Sequence, residues 1–180
     1  MPQLAPSEAK IAIIKVGALG DVVRTTSLLL GLKRLFPSME LTWITGPEAV
    51  SLVEGNPHVA HTVTLDGSAD ETWRNVKYDW IVSLDDEERL CRLATSLSSK
   101  RLSGAYWDGS GRAYTEDLAP WFGMGLLRPA SQGGLARANE LKRDNCESYG
   151  EILYRCLGLP KPLQRPFVPI TADKRQRAAD

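Results

Sequence analysis

One change of period, at a glycine, constrains this chain more than anything else in it. Residues 11–14 are apolar, the run ends after Val16 at Gly17, and a loop with a second glycine, Gly20, leads to Asp21. From there Val22, Leu28, Leu29, Leu32, Leu35 and Phe36 recur at helical spacing, with Lys33 and Arg34 in the last turn and Pro37 as the stop. A short apolar run followed by a loop and an amphipathic helix is a strand–loop–helix unit, with the strand 10–16 buried on both faces. The spacing predicts one helix over 21–36, with Asp21 at its N-terminus, where backbone N–H groups converge and anions bind.

The alternation continues. Residues 41–45, short and rich in β-branched and aromatic side chains, read as a second strand, and 61–65, 78–84 and 101–106 read as three more. Between them 47–53, 69–76 and 87–97 read as helices, the last from Leu90, Leu93, Ala94 and Leu97. Strands alternating with helices over about a hundred residues imply right-handed βαβ crossovers and a parallel sheet. The expected fold class is therefore α/β, a Rossmann-like parallel sheet flanked by helices. Ligands of such sheets bind beyond the carboxyl ends of the strands, where the strand order reverses.

Residues 107–132 keep no steady period and hold Trp107, Tyr114, Trp121 and Phe122, so they read as a long excursion over that edge, its aromatics either serving a ligand or pinning the loop onto the core. Residues 139–157 return to helix, with Gly158 as a stop. Pro160, Pro162, Pro166 and Pro169 make a stiff connector, and Thr171 reads as the N-cap of a further helix. The expected organisation is a disordered lead-in over 1–9, one domain over 10–159, and a linker with the start of an interdomain helix over 160–180.

Composition narrows the class. The 22 Lys and Arg balance the 22 Asp and Glu, so no whole-chain field draws nucleic acid or anionic lipid. No apolar run reaches the length of about 20 residues that a membrane span needs. Cys91, Cys146 and Cys156 have no metal-like spacing and read as free thiols in a reducing, cytoplasmic compartment, the last two on a helix face. His58 and His61 have no cysteine or carboxylate at ligand spacing, so no metal site is expected.

The loop Gly17-x-x-Gly20-Asp21 lacks the G-x-G-x-x-G of dinucleotide folds and the G-K-[ST] of triphosphate loops. No carboxylate ends the second strand, which runs into Gly46 and Pro47, so a nicotinamide oxidoreductase is disfavoured. A carboxylate beside a phosphate would repel it. Asp21 suits a neutral hydroxyl better, as hydrogen-bond or proton acceptor, unless it only caps the helix.

The run Lys15-Val-Gly-Ala-Leu-Gly-Asp-Val-Val-Arg-Thr-Thr26, continuing through Leu29, Leu32 and Phe36-Pro37, resembles the amino-terminal signature of glycosyltransferase family 9, the ADP-heptose:lipopolysaccharide heptosyltransferases and their relatives. Trp43-Ile-Thr45, Glu54-Gly-Asn-Pro57, Tyr78-Asp-Trp-Ile81 and Tyr149-Gly-Glu-Ile-Leu-Tyr-x-x-Leu-Gly158 resemble the same family in the same order. Ser83-Leu-Asp-Asp86 departs from the form associated with heptose transfer.

The resemblance implies the amino-terminal, acceptor-binding half of a bacterial two-domain GT-B enzyme, with the nucleotide sugar held by a carboxyl-terminal domain beyond residue 180. It implies inverting transfer to a glycan hydroxyl, no cofactor besides a co-substrate such as ADP-heptose, no metal, and no nucleic acid partner. It places the protein in the cytoplasm, at most peripherally on the inner membrane, and makes this piece inactive alone. Asp21 becomes the general base. Lys15, Gly17, Gly20, Arg24, Thr25 and Asp85 become candidate substrate-binding residues, each with a plainer alternative. The glycines serve a tight turn, Lys15 a solvated surface, Arg24 and Thr25 an exposed helix face, and one of Asp85 and Asp86 a helix cap. The competing reading is a non-catalytic sugar- or nucleotide-binding module on the same fold.

Overall fold

The computed structural model describes residues 8–66, 71–124, 133–160, 165–170 and 176. Six strands form one sheet in the order β3-β2-β1-β4-β5-β6. They are β1 (Lys10–Ile14), β2 (Glu40–Thr45), β3 (His61–Thr64), β4 (Trp80–Ser83), β5 (Leu102–Trp107) and β6 (Arg112–Tyr114). All pairings are parallel except β5 with β6, which is an antiparallel hairpin. The order runs outward from β1 through β2 to β3, then restarts at β4 on the other side of β1. That reversal opens a crevice beyond the carboxyl ends of β1 and β4.

Seven helices accompany the sheet among the described residues: α1 (Leu19–Thr25), α2 (Leu28–Leu35), α3 (Val50–Val53), α4 (Glu88–Ser96), α5 (Ala119–Gly123), α6 (Gly134–Asp144) and α7 (Tyr149–Leu157). Alternate residues of the central strands feed two cores. On one face Ile11, Ile13, Leu41, Trp43, Trp80 and Val82 meet Val22, Leu28, Leu29 and Leu32 of α1 and α2 and Leu153, Tyr154 and Leu157 of α7. On the other, Ala12, Ile14, Ile44 and Ile81 meet Leu90, Leu93 and Ala94 of α4, with Trp73 and Tyr78. Each fully buried Ile, Leu or Val contributes about 1.5–3 kcal/mol of transfer free energy, so burial on both faces explains the unbroken apolar runs of β1 and β4.

Several expectations are corrected. The helix expected over 21–36 is two helices, α1 and α2. Thr26 and Ser27 lie at the junction, and their hydroxyls donate to the carbonyls of Val23 (2.6 Å) and Arg24 (2.7 Å). Hydroxyl side chains that bond back to the preceding turn disturb a helix, and here two do so in succession. The helix expected over 139–157 is likewise split into α6 and α7. Asn145 folds its side chain onto the backbone of Glu147 (2.7 and 3.1 Å), and Ser148 and Glu151 form a capping box that starts α7 afresh. Cys146 therefore sits in a loop, exposed, and not on a helix face. The helix expected over 69–76 is a 3₁₀ turn at Thr72–Asn75; residues 67–70 lie outside the described residues.

The excursion expected over 107–132 contains regular structure in its described part; residues 125–132 lie outside the described residues. Asp108 accepts from the amides of Ser110 and Gly111 (both 2.8 Å) and turns β5 into β6, and α5 follows. Gly104 permits β5 to lie close to β4: it has φ +116°, and a Cβ there would come within 1.8 Å of the Ser83 carbonyl oxygen. The connector residues 165–170 form neither helix nor strand, and the Phe167 amide donates to Thr26 Oγ1 at 2.8 Å. Most of the lead-in and the helix start at Thr171 fall outside the described residues. No described helix is long and apolar enough to cross a membrane.

Candidate active site

The loop after β1 and the loop after β4 meet at the switch point. Asp21 is the third residue of α1, not its cap; the N-cap is Ala18, and no side chain caps that end. The Asp21 carboxylate is one-third exposed and ion-paired with the guanidinium of Arg24, one turn on. An exposed pair at that spacing is worth about 0.3–0.5 kcal/mol, enough to orient the carboxylate and too little to sequester it. A Cβ on Gly17 or on Gly20 would meet nothing within 4 Å, so the space above the loop is open. Ala18, Leu19 and Gly20 are exposed around it.

Lys15 and Asp85 face inward instead. The Lys15 side chain is 4% exposed and that of Asp85 13%, and the two form an ion pair. The Asp85 carboxylate also accepts from the amides of Val16 and, at 3.4 Å, Gly17. The carbonyl of Lys15 accepts from Trp43 Nε1 at 3.3 Å. Lys15 is thus no solvated surface residue. Neither Asp85 nor Asp86 caps α4, whose N-cap is Glu87 without a side-chain bond. Asp86 turns toward the hairpin, where its carboxylate accepts from Tyr114 Oη (2.8 Å) and lies 3.2 Å from the Arg112 guanidinium.

Thr25 is fully buried, its hydroxyl 2.9 Å from that of Tyr149. Burial pushes the Tyr149 phenol well above its ordinary range, so at neutral pH it is a hydrogen-bonding hydroxyl. The Arg24 guanidinium lies 4.7 Å from the centre of the same ring, a cation–π contact. From Tyr149 a row of rings runs along the edge: Trp121 at 5.5 Å, Phe122 at 4.6 Å from Trp121, and Tyr114 at 4.6 Å from Phe122. Tyr114 has its pKa raised to about 12, by burial first and then by the Asp86 carboxylate that its hydroxyl serves.

Asp21, Arg24, Gly17 and Gly20 therefore share the open edge, Lys15 and Asp85 lie beneath the loop, and Thr25 is packed behind it. The sequence did not assign Tyr149, Arg112 or Tyr114 to the site. Asp108-Gly109, between the aromatic pair Tyr106-Trp107 and Arg112-Ala-Tyr114, is the hairpin signal that would have placed the last two. Among the described residues no cluster of three or more His, Cys, Asp or Glu could hold a metal ion. A cleft of about 470 Å³ lies elsewhere, at the amino ends of β1, β2 and β3, between Glu40, His61 and Trp73, and has no part in this edge.

No family model matches the chain, and no curated protein does. Solved structures do. The chain is similar to the glycosyl transferase family 9 protein from Veillonella parvula DSM 2008, with TM-score 0.61 and 18% identity over 95% of this chain and 48% of that one. It is similar to ADP-heptose lps heptosyltransferase II of E. coli, with TM-score 0.57 and 14% identity over 94% of this chain and 49% of that one. For E. coli heptosyltransferase WaaC with ADP-2-deoxy-2-fluoro heptose the TM-score is 0.50, at 16% identity over 87% and 51%. At such identities the likeness establishes the fold: a Rossmann-like sheet that makes up one half of a GT-B architecture. The chain spans about half the length of the structures it matches.

Proposed function

We propose that this chain is the acceptor-binding half of an inverting glycosyltransferase. The enzyme would move a heptose-like sugar from a nucleotide diphosphate donor, such as ADP-heptose, to a hydroxyl of a glycan such as lipopolysaccharide core. The observation that carries the reading is the position of Asp21: a partly exposed carboxylate in the first turn of α1, beside an open loop at the switch point of the sheet. The fold shared with a glycosyl transferase family 9 structure and a heptosyltransferase structure supports the same reading.

In this mechanism the acceptor hydroxyl donates its hydrogen bond to Asp21. Its oxygen attacks the anomeric carbon from the face opposite the diphosphate, the glycosidic bond forms, and the bond to the leaving diphosphate breaks. The hydroxyl proton passes to Asp21, a step worth about 10²–10⁴ in rate. Arg24 holds the carboxylate at the surface, and positioning supplies what a weak base cannot. Charge on the leaving diphosphate would be met by cationic side chains and helix N-termini of the donor-binding half, without a metal or resident cofactor. The chain alone is then expected to be inactive, and the whole protein to work in the cytoplasm, at most peripherally on the membrane that carries its acceptor.

The test is a transfer assay on the full-length gene product with a panel of nucleotide sugars, comparing wild type with Asp21→Ala and Asp21→Asn. Both variants should lose about 10²–10⁴ in kcat while keeping their fold. Near-normal kcat in both folded variants would remove Asp21 from the chemistry.

A further inference from the structure

The geometry points to Asp85 as a positioning residue that shapes the loop bearing Asp21, and not as a group that touches the acceptor. This rests on the reading of Asp21 as the base.

Beyond Ile14 the first strand runs out of partners. The Lys15 amide still donates to Ile44 (3.0 Å), and the Ile14 carbonyl still accepts from Leu84 (3.0 Å). The next two amides, of Val16 and Gly17, lie past the end of the ladder, and the carboxylate that accepts from both belongs to Asp85. A side chain from the loop after β4 thus continues the hydrogen bonding of β1 for two more residues. It fixes the direction in which the chain leaves the sheet.

A buried carboxylate is costly unless its charge is met. Lys15 meets it, reaching the same group from the last position before the loop. With one ammonium and two amides on its oxygens, Asp85 has little left to offer a ligand. The path from this anchor to Asp21 is short and covalent: Gly17, Ala18, then the first turn of α1, whose Asp21 and Val22 amides donate to Ala18 at 2.9 and 3.0 Å. Moving Gly17 moves Ala18, and with it the turn that aims Asp21. On the side where a Cβ would stand, nothing lies within 4 Å of Gly17 or Gly20. The anchor at Asp85 is what holds the loop from below.

Single removal of either charge would strand the other in the interior, so the test uses paired variants of the full-length gene product. Lys15→Met with Asp85→Leu takes out both charges and the acceptor. Lys15→Met with Asp85→Asn takes out both charges but keeps a side-chain carbonyl for the two amides. In the Leu pair the Val16 and Gly17 amides should exchange hydrogen at least about tenfold faster, since their bonded state is lost. The kcat should fall about 100-fold from misplacement of the base, with KM for donor and acceptor within about twofold. The Asn pair should recover most of both. Unchanged amide exchange in the folded Leu pair would overturn the inference, as would a raised acceptor KM at unchanged kcat, or an Asn pair no better than the Leu pair. If the wild type transfers no sugar, the functional reading fails, and amide exchange decides on Asp85 by itself.

Discussion

Tyr154 places its hydroxyl between two backbone groups of the neighbouring helix: it donates to the carbonyl of Ser27 at 2.6 Å and accepts from the amide of Gly31 at 3.0 Å. Those are the two groups that a helix pairs at i and i+4. A side chain from α7 is thereby built into the first turn of α2, immediately after the junction with α1. The contact needs a glycine, because a Cβ at position 31 would lie 2.6 Å from the Tyr154 ring.

Gly31→Ala should therefore be destabilising, although alanine is the better helix former. Tyr154 is 2% exposed and has no room to retreat. Overpacking of this kind costs about 1–3 kcal/mol. Chemical denaturation should show a lower midpoint at unchanged slope, and a variant as stable as wild type would mean that the ring can move.

Gly104→Ala should be far worse. The new methyl would meet backbone, the Ser83 carbonyl at 1.8 Å, and the residue would also carry the strain of φ +116°. A loss of about 4 kcal/mol or more follows, because β4 and β5 would have to separate. The expected observation is insoluble protein or a non-cooperative melt.

Alkaline pH should weaken the fold through Tyr114. Its folded pKa is about 12, above the unfolded value of about 10, so the folded state holds the proton more tightly. That contribution is complete below pH about 10 and is lost as pH rises toward about 12. Tyr78, Tyr149 and Tyr154 shift in the same direction through burial. Melting temperature should fall over this window, and Tyr114→Phe should fall less steeply; equal slopes would contradict the assignment.

Tyr149→Phe should isolate one hydrogen bond. It removes the hydroxyl that meets Thr25 and keeps the ring beneath Arg24. A net loss of about 0.5–1.5 kcal/mol is expected, whereas Tyr149→Leu should lose more, since the cation–π contact goes too. Equal stabilities of the two would show that the ring contributes nothing.

The sheet was legible because strands buried on both faces need continuous apolar runs, which β1 and β4 carry, while β2 and β3 show the β-branched and aromatic side chains of strands. The position of the Asp21 loop was legible for the same reason, since a loop after the first such strand has one place to go. Helix continuity was not. Thr25, Thr26 and Ser27 fit a helical stripe as well as they fit a break, and only the hydroxyl geometry separates the two. The hairpin of β6 escaped because three residues are too few for a period to register. The inward turn of Lys15 and Asp85 was invisible for another reason. Two charges seventy positions apart reveal nothing of each other in one dimension, and charged residues are mostly exposed.

That separation sets the order in which the molecule is made. The Gly17–Asp21 loop is synthesised before its anchor, because the carboxylate that holds it follows 69 positions after Val16. At ribosomal speed the delay is roughly 3–14 s. Contacts of such span close slowly, because the intervening chain must first be ordered. The loop after β1 therefore cannot take its final shape until β4 and the residues that follow it have been made.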